Sequence, residues 1–232
     1  GQEYIVKTIV TTELIRAISK HFNVTCLDTL TGFKYIAEKI RQLESTKTFI
    51  AGGEESYGYL IGDQVRDKDA VMSSAMIAEL TAWAKDQRKT LFDVLLDIWM
   101  EFGLYREGLI SITKKGKAGA QEIQEIMKTL RNTPPIFLND FLVTDIIDYS
   151  NLTHLETKTK QILPLDSHKS NILQFITEDG SRISIRPSGT EPKIKIYFSV
   201  YSSLQSKSEL KEKKWQLDSQ ISKLSKSLLK HF

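Results

Sequence analysis

The richest concentration of chemical groups in the chain is Arg186-Pro187-Ser188-Gly189-Thr190-Glu191-Pro192-Lys193. A guanidinium, two hydroxyls, an ammonium and main-chain amides occur together within this short stretch. Such groups bind oxyanions: an Arg fork matches two phosphate oxygens, and hydroxyls and amides take the others. The plainer reading is a polar turn carrying a surface Arg. A second group is Gly52-Gly53-Glu54-Glu55-Ser56-Tyr57-Gly58. Glycines such as Gly53 let backbone approach a ligand closely. Glu54 can accept hydrogen bonds from vicinal sugar hydroxyls and Ser56 can accept or donate them, although adjacent glutamates are often only solvated. Thr31-Gly32-Phe33-Lys34 opens a helix. A lysine there lies against the positive end of the helix dipole, which suits Lys34 to proton transfer; an isolated lysine is more commonly a surface charge. Arg66-Asp67-Lys68-Asp69 reads mainly as a helix cap with ion pairs. The four histidines, His21, His154, His168 and His231, are scattered. None has the neighbours of a metal ligand, and neither a Walker loop nor a Gly-x-Ser-x-Gly elbow is present.

The elements around these groups predict two domains. Residues 4–10 read as a strand, 12–22 as an amphipathic helix, 24–27 as a strand, 33–43 as a helix and 48–51 as a strand ending in the Gly52-Gly53 motif. Alternating strands and helices predict a three-layer α/β domain with a mainly parallel sheet, in which ligands gather beyond the strand ends. Two helices follow. The first, 69–86, is apolar over so broad a surface that it predicts deep burial. The second, 91–102, is amphipathic, with Thr90 and Asp93 suited to its cap and Gly103 to its stop. From about Tyr105 a strand, a helix over 118–131, strands at 141–149, 172–177, 182–186 and 193–201, and a helix over 206–230 predict an α+β domain. Its antiparallel sheet has four strands and its helices number two. Asp179-Gly180 supplies a hairpin turn, and the polar stretch 150–170 reads as a long surface loop. The expected domains are therefore 1–104 and 105–232.

Of the 232 residues, 41% are hydrophobic and 26% charged, which is globular and not disordered composition. A single cysteine, Cys26, excludes an internal disulfide. With no signal-like segment and no apolar run near ~18 residues, a cytoplasmic protein is expected, with no membrane partner. The net charge of +3 gives little reason to expect nucleic acid. Residues 205–232 hold seven lysines against three acids, which reads as the solvated face of an amphipathic helix.

Taken together and in order, Thr31 to Lys34, Gly52 to Gly58, Arg66 to Asp69 and Arg186 to Lys193 resemble the α-D-phosphohexomutases. The resemblance is greatest to the long bacterial phosphoglucomutase/phosphomannomutase group that includes phosphopentomutase-like members. It spans essentially the whole chain. In that family four domains surround one cleft, and this chain resembles most of the third and all of the fourth. The resemblance implies that Glu54 and Ser56, beside Gly53, bind sugar hydroxyls. It implies that Arg186, Ser188, Gly189 and Thr190 hold the distal phosphate with Lys193 as helper, and that Lys34 is a proton-transfer candidate. The implied activity is phosphoryl transfer between the C1 and C6 (or C5) hydroxyls of a hexose or pentose phosphate through an enzyme phosphoserine. A sugar bisphosphate would be intermediate and activator, and Mg2+ the metal of the full-length parent. The phosphoserine loop and the Asp-x-Asp-x-Asp magnesium loop are absent: Ser167-His168 is followed by Lys169 and lies in a polar stretch. The expectation is a C-terminal piece without domains 1 and 2, inactive alone, with no metal ligands in this chain. The other readings are a non-catalytic sugar-phosphate-binding module or an interaction domain. Tyr57 stands where many relatives have His, which leaves the preferred sugar open.

Overall fold

The structure is a computed structural model that describes residues 1–189 and 191–232. The chain divides into two compact units, one of residues 1–105 with 203–210, the other of residues 106–202 with 211–232.

In the first unit β1 (Glu3–Thr8) pairs in parallel with both β2 (Thr25–Thr29) and β3 (Thr48–Glu54). β4 (Gly58–Ile61) returns antiparallel to β3, giving the order β2-β1-β3-β4. The chain steps from β1 out to β2 through α1 (Leu14–His21). It then crosses back over β1 to β3 through α2 (Phe33–Leu43). Right-handed crossovers in opposed directions put the two helices on opposite faces. On the α2 face Phe33, Ile36 and Ile40 close over Tyr4, Val6, Phe49 and Leu60. Phe33, Ile36 and Ile40 are the i, i+3, i+7 stripe that the sequence predicts. Because β1, β2 and β3 run parallel, their carboxyl ends and the loops leaving them share one edge.

β4 converts the expected strand-end loop into a hairpin. Gly52, Gly53 and Glu54 are strand residues, and Glu55 to Tyr57 form the turn, with Tyr57 at φ 65°. α3 (Ala70–Asp86) and α4 (Leu91–Phe102) follow. Asp69 caps α3 by accepting from the amides of Val71 and Met72, each at 3.0 Å. Thr90 and Asp93 complete a reciprocal capping box on α4, and Gly103 ends it at φ 96°. The deep burial expected of the 69–86 helix is not found. Only Ser73 and Ala84 of α3 are buried, while Val71 is 83% and Trp83 50% exposed. Its apolar residues surround the helix, so no single face could bury them all.

The second unit contains α5 (Gly116–Asn132) and α6 (Leu210–Leu228, from residue 211) with an antiparallel sheet. The expected four strands are its centre: β7 (Phe141–Asp148), β10 (Leu173–Thr177), β11 (Arg182–Pro187) and β12 (Lys193–Ser202). Gly180 turns the β10–β11 hairpin at φ 82°. The sheet also extends beyond these. β5 (Leu104–Thr113) flanks β12, the short β6 (Phe137–Leu138) pairs with β7, and β8 (Thr153–Glu156) and β9 (Ile162–Pro164) continue past β7. The stretch 150–170 is therefore not one loop. Its polar residues add edge strands through main-chain ladder bonds that need no apolar pattern, with His154 Nε2 2.7 Å from Asp145 Oδ1. Ile123, Met127 and Leu130 of α5 and Leu217, Leu224 and Leu228 of α6 are buried, as are Phe175, Ile183, Ile185, Ile196 and Phe198 of the strands.

Candidate functional site

At the carboxyl edge of the first unit's sheet, Glu54 joins two motifs that are distant in sequence. Its Oε1 accepts a hydrogen bond from the Gly32 amide at 2.7 Å. Gly32 is the residue preceding α2 and sits at φ 119°, a conformation glycine supplies without steric cost. The α2 N-terminus thus receives a carboxylate where its dipole favours one. The neighbouring Glu55 turns the other way. Its Oε2 accepts from Thr8 Oγ1 (3.1 Å) and Thr11 Oγ1 (3.3 Å), tying the hairpin turn to the loop after β1. Glu54 therefore has one oxygen committed to the Gly32 amide, and Glu55 acts as a brace.

Gly53 and Gly58 are needed for close approach. A Cβ on Gly53 would meet the Tyr59 ring at 3.1 Å and the Gly58 carbonyl at 3.2 Å. A Cβ on Gly58 would lie 2.7 Å from Lys68 Cδ and 3.4 Å from Glu54 Oε2. The Lys68 stem and the second Glu54 oxygen therefore flank the same small space. Lys68 Nζ lies 5.2 Å from the centre of the Phe33 ring and 3.0 Å from Asp67 Oδ1. Lys34 is exposed, with Nζ 4.8 Å from the centre of the Tyr35 ring. Ser56 is exposed in the hairpin turn.

Three further residues gain interest from the structure. Thr31 Oγ1 is buried and has no hydrogen-bond partner among the described residues. A buried hydroxyl in that condition costs stability unless a ligand satisfies it. Lys68 was hidden in what reads as a capping sequence, and only the hairpin brings it to Glu54. Lys7 is 1% exposed on β1. Its ammonium is held by Glu13 (2.8 Å), Asp28 (3.0 Å) and the carbonyls of Thr8 and Thr11. Nothing in the Tyr-Ile-Val-Lys-Thr strand pattern distinguishes it from an ordinary strand lysine.

In the second unit the oxyanion-type loop joins β11 to β12. The Ser188 amide donates to the Lys193 carbonyl at 2.7 Å, closing the loop upon itself, and the Lys193 amide donates to the Glu191 carbonyl at 2.7 Å. Those two amides are therefore not open to a ligand, contrary to the free main-chain donors that the sequence suggests. Lys193 Nζ is 3.4 Å from Glu191 Oε2. Arg186 and Ser188 are half-buried and Gly189 is exposed. Thr190 lies outside the described residues. The structure brings Gly53, Glu54 and Ser56 into one hairpin and Arg186, Ser188, Gly189 and Lys193 into one loop. Among the described residues no group of three or more His, Cys, Asp or Glu side chains is placed to hold a metal ion. No helix among them is long and apolar enough to cross a membrane.

Comparison with known proteins identifies both units of the chain. The sequence profile of phosphoglucomutase/phosphomannomutase, alpha/beta/alpha domain III matches residues 1–102, and that of the phosphoglucomutase/phosphomannomutase C-terminal domain matches residues 111–213. A phosphoglucomutase of Staphylococcus haemolyticus is 37% identical over 198 residues, covering 84% of this chain and 36% of the relative. One of Staphylococcus aureus is 39% identical over 198 residues, covering 84% and 35%. The chain thus spans about a third of the length of these curated relatives. Among solved structures, parafusin, a phosphoglucomutase of Paramecium in its open form, superimposes with a TM-score of 0.56 at 18% identity. That superposition covers 88% of this chain and 34% of the other, a likeness of fold. With both of its units matched in order, the chain belongs to the phosphoglucomutase/phosphomannomutase family, of which it holds domain III and the C-terminal domain.

Proposed function

We propose that the chain is the sugar- and phosphate-holding part of a phosphoglucomutase/phosphomannomutase. The observation that carries the reading is the Glu54–Gly32 bond. It fixes a carboxylate at a strand edge with its second oxygen beside the Lys68 stem. Glu54, Ser56 and the unpartnered Thr31 hydroxyl take sugar hydroxyls, and Gly53 keeps the backbone clear for them. Arg186, with Ser188, Gly189 and Thr190, holds a phosphate through charge-assisted bonds, and Lys193 helps once it leaves Glu191. Lys34 remains a proton-transfer candidate. Lys68, whose stem and Glu54 Oε2 flank the same space at Gly58, is a second one.

The reaction of the whole protein is phosphoryl transfer between the C1 and C6 (or C5) hydroxyls of a hexose or pentose phosphate, through a phosphoserine and a sugar bisphosphate. Mg2+ would serve that step by neutralising charge on the transferring group. The residues of this chain position the sugar and balance the charge of the phosphate that is not reacting, which is where phosphoryl transfer gains most from a protein. The phosphoserine and magnesium loops that the family resemblance implies have no counterpart in these 232 residues. The chain by itself is therefore expected to show no mutase turnover.

Calorimetric titration of the 232-residue chain with glucose 1,6-bisphosphate tests the reading. Heat is expected from the unaltered chain and not from Arg186→Ala. Absence of heat from the unaltered chain would favour an interaction domain with an incidental anion site. Turnover of glucose 1-phosphate by the purified chain would refute the division of labour.

A further inference from the structure

Lys7 is buried on β1, and oxygens surround its ammonium. Glu13 Oε1 lies at 2.8 Å, Asp28 Oδ1 at 3.0 Å, and the carbonyls of Thr11 and Thr8 at 3.2 and 3.3 Å. Arg16 balances the charge: its Nε is 2.9 Å from Glu13 Oε2, and its guanidinium also bonds Asp28 Oδ2. Two cations and two carboxylates therefore interlock beside the loop that leaves β1. A buried cluster of this kind adds little stability, because apolar side chains of similar volume in place of a buried ion pair are often neutral or stabilising. What it does supply is a fixed geometry for the carbonyls it binds. That geometry reaches the hairpin between β3 and β4. Thr8 and Thr11, whose carbonyls face Lys7, have hydroxyls 2.9 Å apart, and these contact Glu55 Oε2 at 3.1 and 3.3 Å. The Thr11 amide donates to the Thr8 carbonyl at 3.0 Å and closes the turn. Glu55 stands between Glu54 and Ser56. In the ladder Lys7 is itself the partner of Gly53.

We propose that Lys7 is a positioning residue for sugar binding. It sets the loop after β1 so that the Thr8 and Thr11 hydroxyls hold Glu55, and through Glu55 it fixes the turn that carries Ser56 and follows Glu54. The proposal rests on the reading of that hairpin as the sugar site. An exposed turn has many conformations of similar energy, and ordering it at the moment of binding costs affinity. Tying the Glu55 carboxylate to two hydroxyls on a fixed loop removes part of that cost before the ligand arrives. Lys7 itself touches no ligand. Its effect is confined to the hairpin, so it bears on a ligand held through sugar hydroxyls and not on an anion held by Arg186.

The test is titration of the 232-residue chain with glucose 1-phosphate, followed by shifts of the backbone amide resonances of residues 53–58. A parallel titration with inorganic phosphate is followed at residues 186–193. Lys7→Met should weaken glucose 1-phosphate binding about tenfold and leave inorganic phosphate binding unchanged. Thr11→Val keeps the ammonium cluster whole and should weaken glucose 1-phosphate about threefold, the order of one lost neutral hydrogen bond, while Thr11→Ser should retain it. The double variant Lys7→Met/Thr11→Val should bind no more weakly than Lys7→Met alone, because both changes act through Glu55. If Lys7→Met does not fold, the Thr11 pair decides. Equal weakening of both ligands in a variant would mean a general loss of structure and overturn the positioning role. Unchanged glucose 1-phosphate binding in a folded Lys7→Met or in Thr11→Val, beside a loss in Glu54→Ala, overturns it too and leaves the sugar site standing. If Glu54→Ala also binds as before, or if the unaltered chain binds no glucose 1-phosphate, both readings fail.

Discussion

Glu54 holds the Gly32 amide and is the proposed sugar ligand, and substitutions can separate the two roles. Glu54→Ala leaves the Gly32 amide unpaired at the start of α2 and removes the candidate sugar contact. It should lower stability by about 1–2 kcal/mol as well as weaken ligand binding. Glu54→Gln keeps a neutral acceptor for the amide and should recover much of the stability, as measured by urea unfolding midpoints. Equal losses in the two variants would mean that the Gly32 bond does not set the loop. That Gly53, Glu54 and Ser56 share one hairpin and Arg186, Ser188 and Gly189 one loop was legible, because each set is a short run in the sequence. Lys68 and Thr31 were not. Their significance comes from a hairpin and from an unmet hydrogen bond, neither of which leaves a trace in local composition.

The strength of an element's own sequence signals separates what could be read from what could not. The box on α4 was legible because Thr90 and Asp93 stand at the spacing that closes it. Thr90→Ala should cost about 1 kcal/mol. Hydrogen bonds from the Thr90 hydroxyl and then the Thr90 amide hold the Asp93 carboxyl below the usual carboxylate range. Its contribution is present above the unfolded value near ~3.9 and is lost as the pH falls from there through the lowered folded value. The pH dependence of urea unfolding below pH 4 should accordingly flatten in Thr90→Ala. Gly52 is an element-scale constraint of another kind. A Cβ there would lie 3.0 Å from both Ile36 Cγ2 and the Val6 carbonyl and 3.3 Å from the Phe49 ring. Backbone cannot yield as a side chain can, so Gly52→Ala should cost roughly 1–3 kcal/mol. The edge strands β8 and β9 escaped notice because ladder pairing does not demand apolar alternation. α3 misled in the opposite sense: Val71, Met72, Ile77, Leu80 and Trp83 look like core residues and yet are exposed.

For the molecule as a whole, residues 203–210 group with the first unit although they follow β12 of the second. Leu204 is 3% exposed and Lys207 lies 3.6 Å from Asp97. Sequence order places both within the second half, and no local pattern assigns them elsewhere. Leu204→Ala should cost about 2–4 kcal/mol, as burial of a leucine implies. Loss of the near-ultraviolet circular dichroism of the first unit's aromatic residues should accompany the loss of stability.

This grouping also bears on synthesis. A domain made of one continuous stretch can fold as soon as that stretch leaves the ribosome. The first unit's core cluster lies within residues 4–60, whereas the second unit must wait for α6, whose Leu217, Leu224 and Leu228 are buried in it. The second core therefore stays open until residues 211–228 have been made, and that stretch decides whether the emerging chain escapes aggregation.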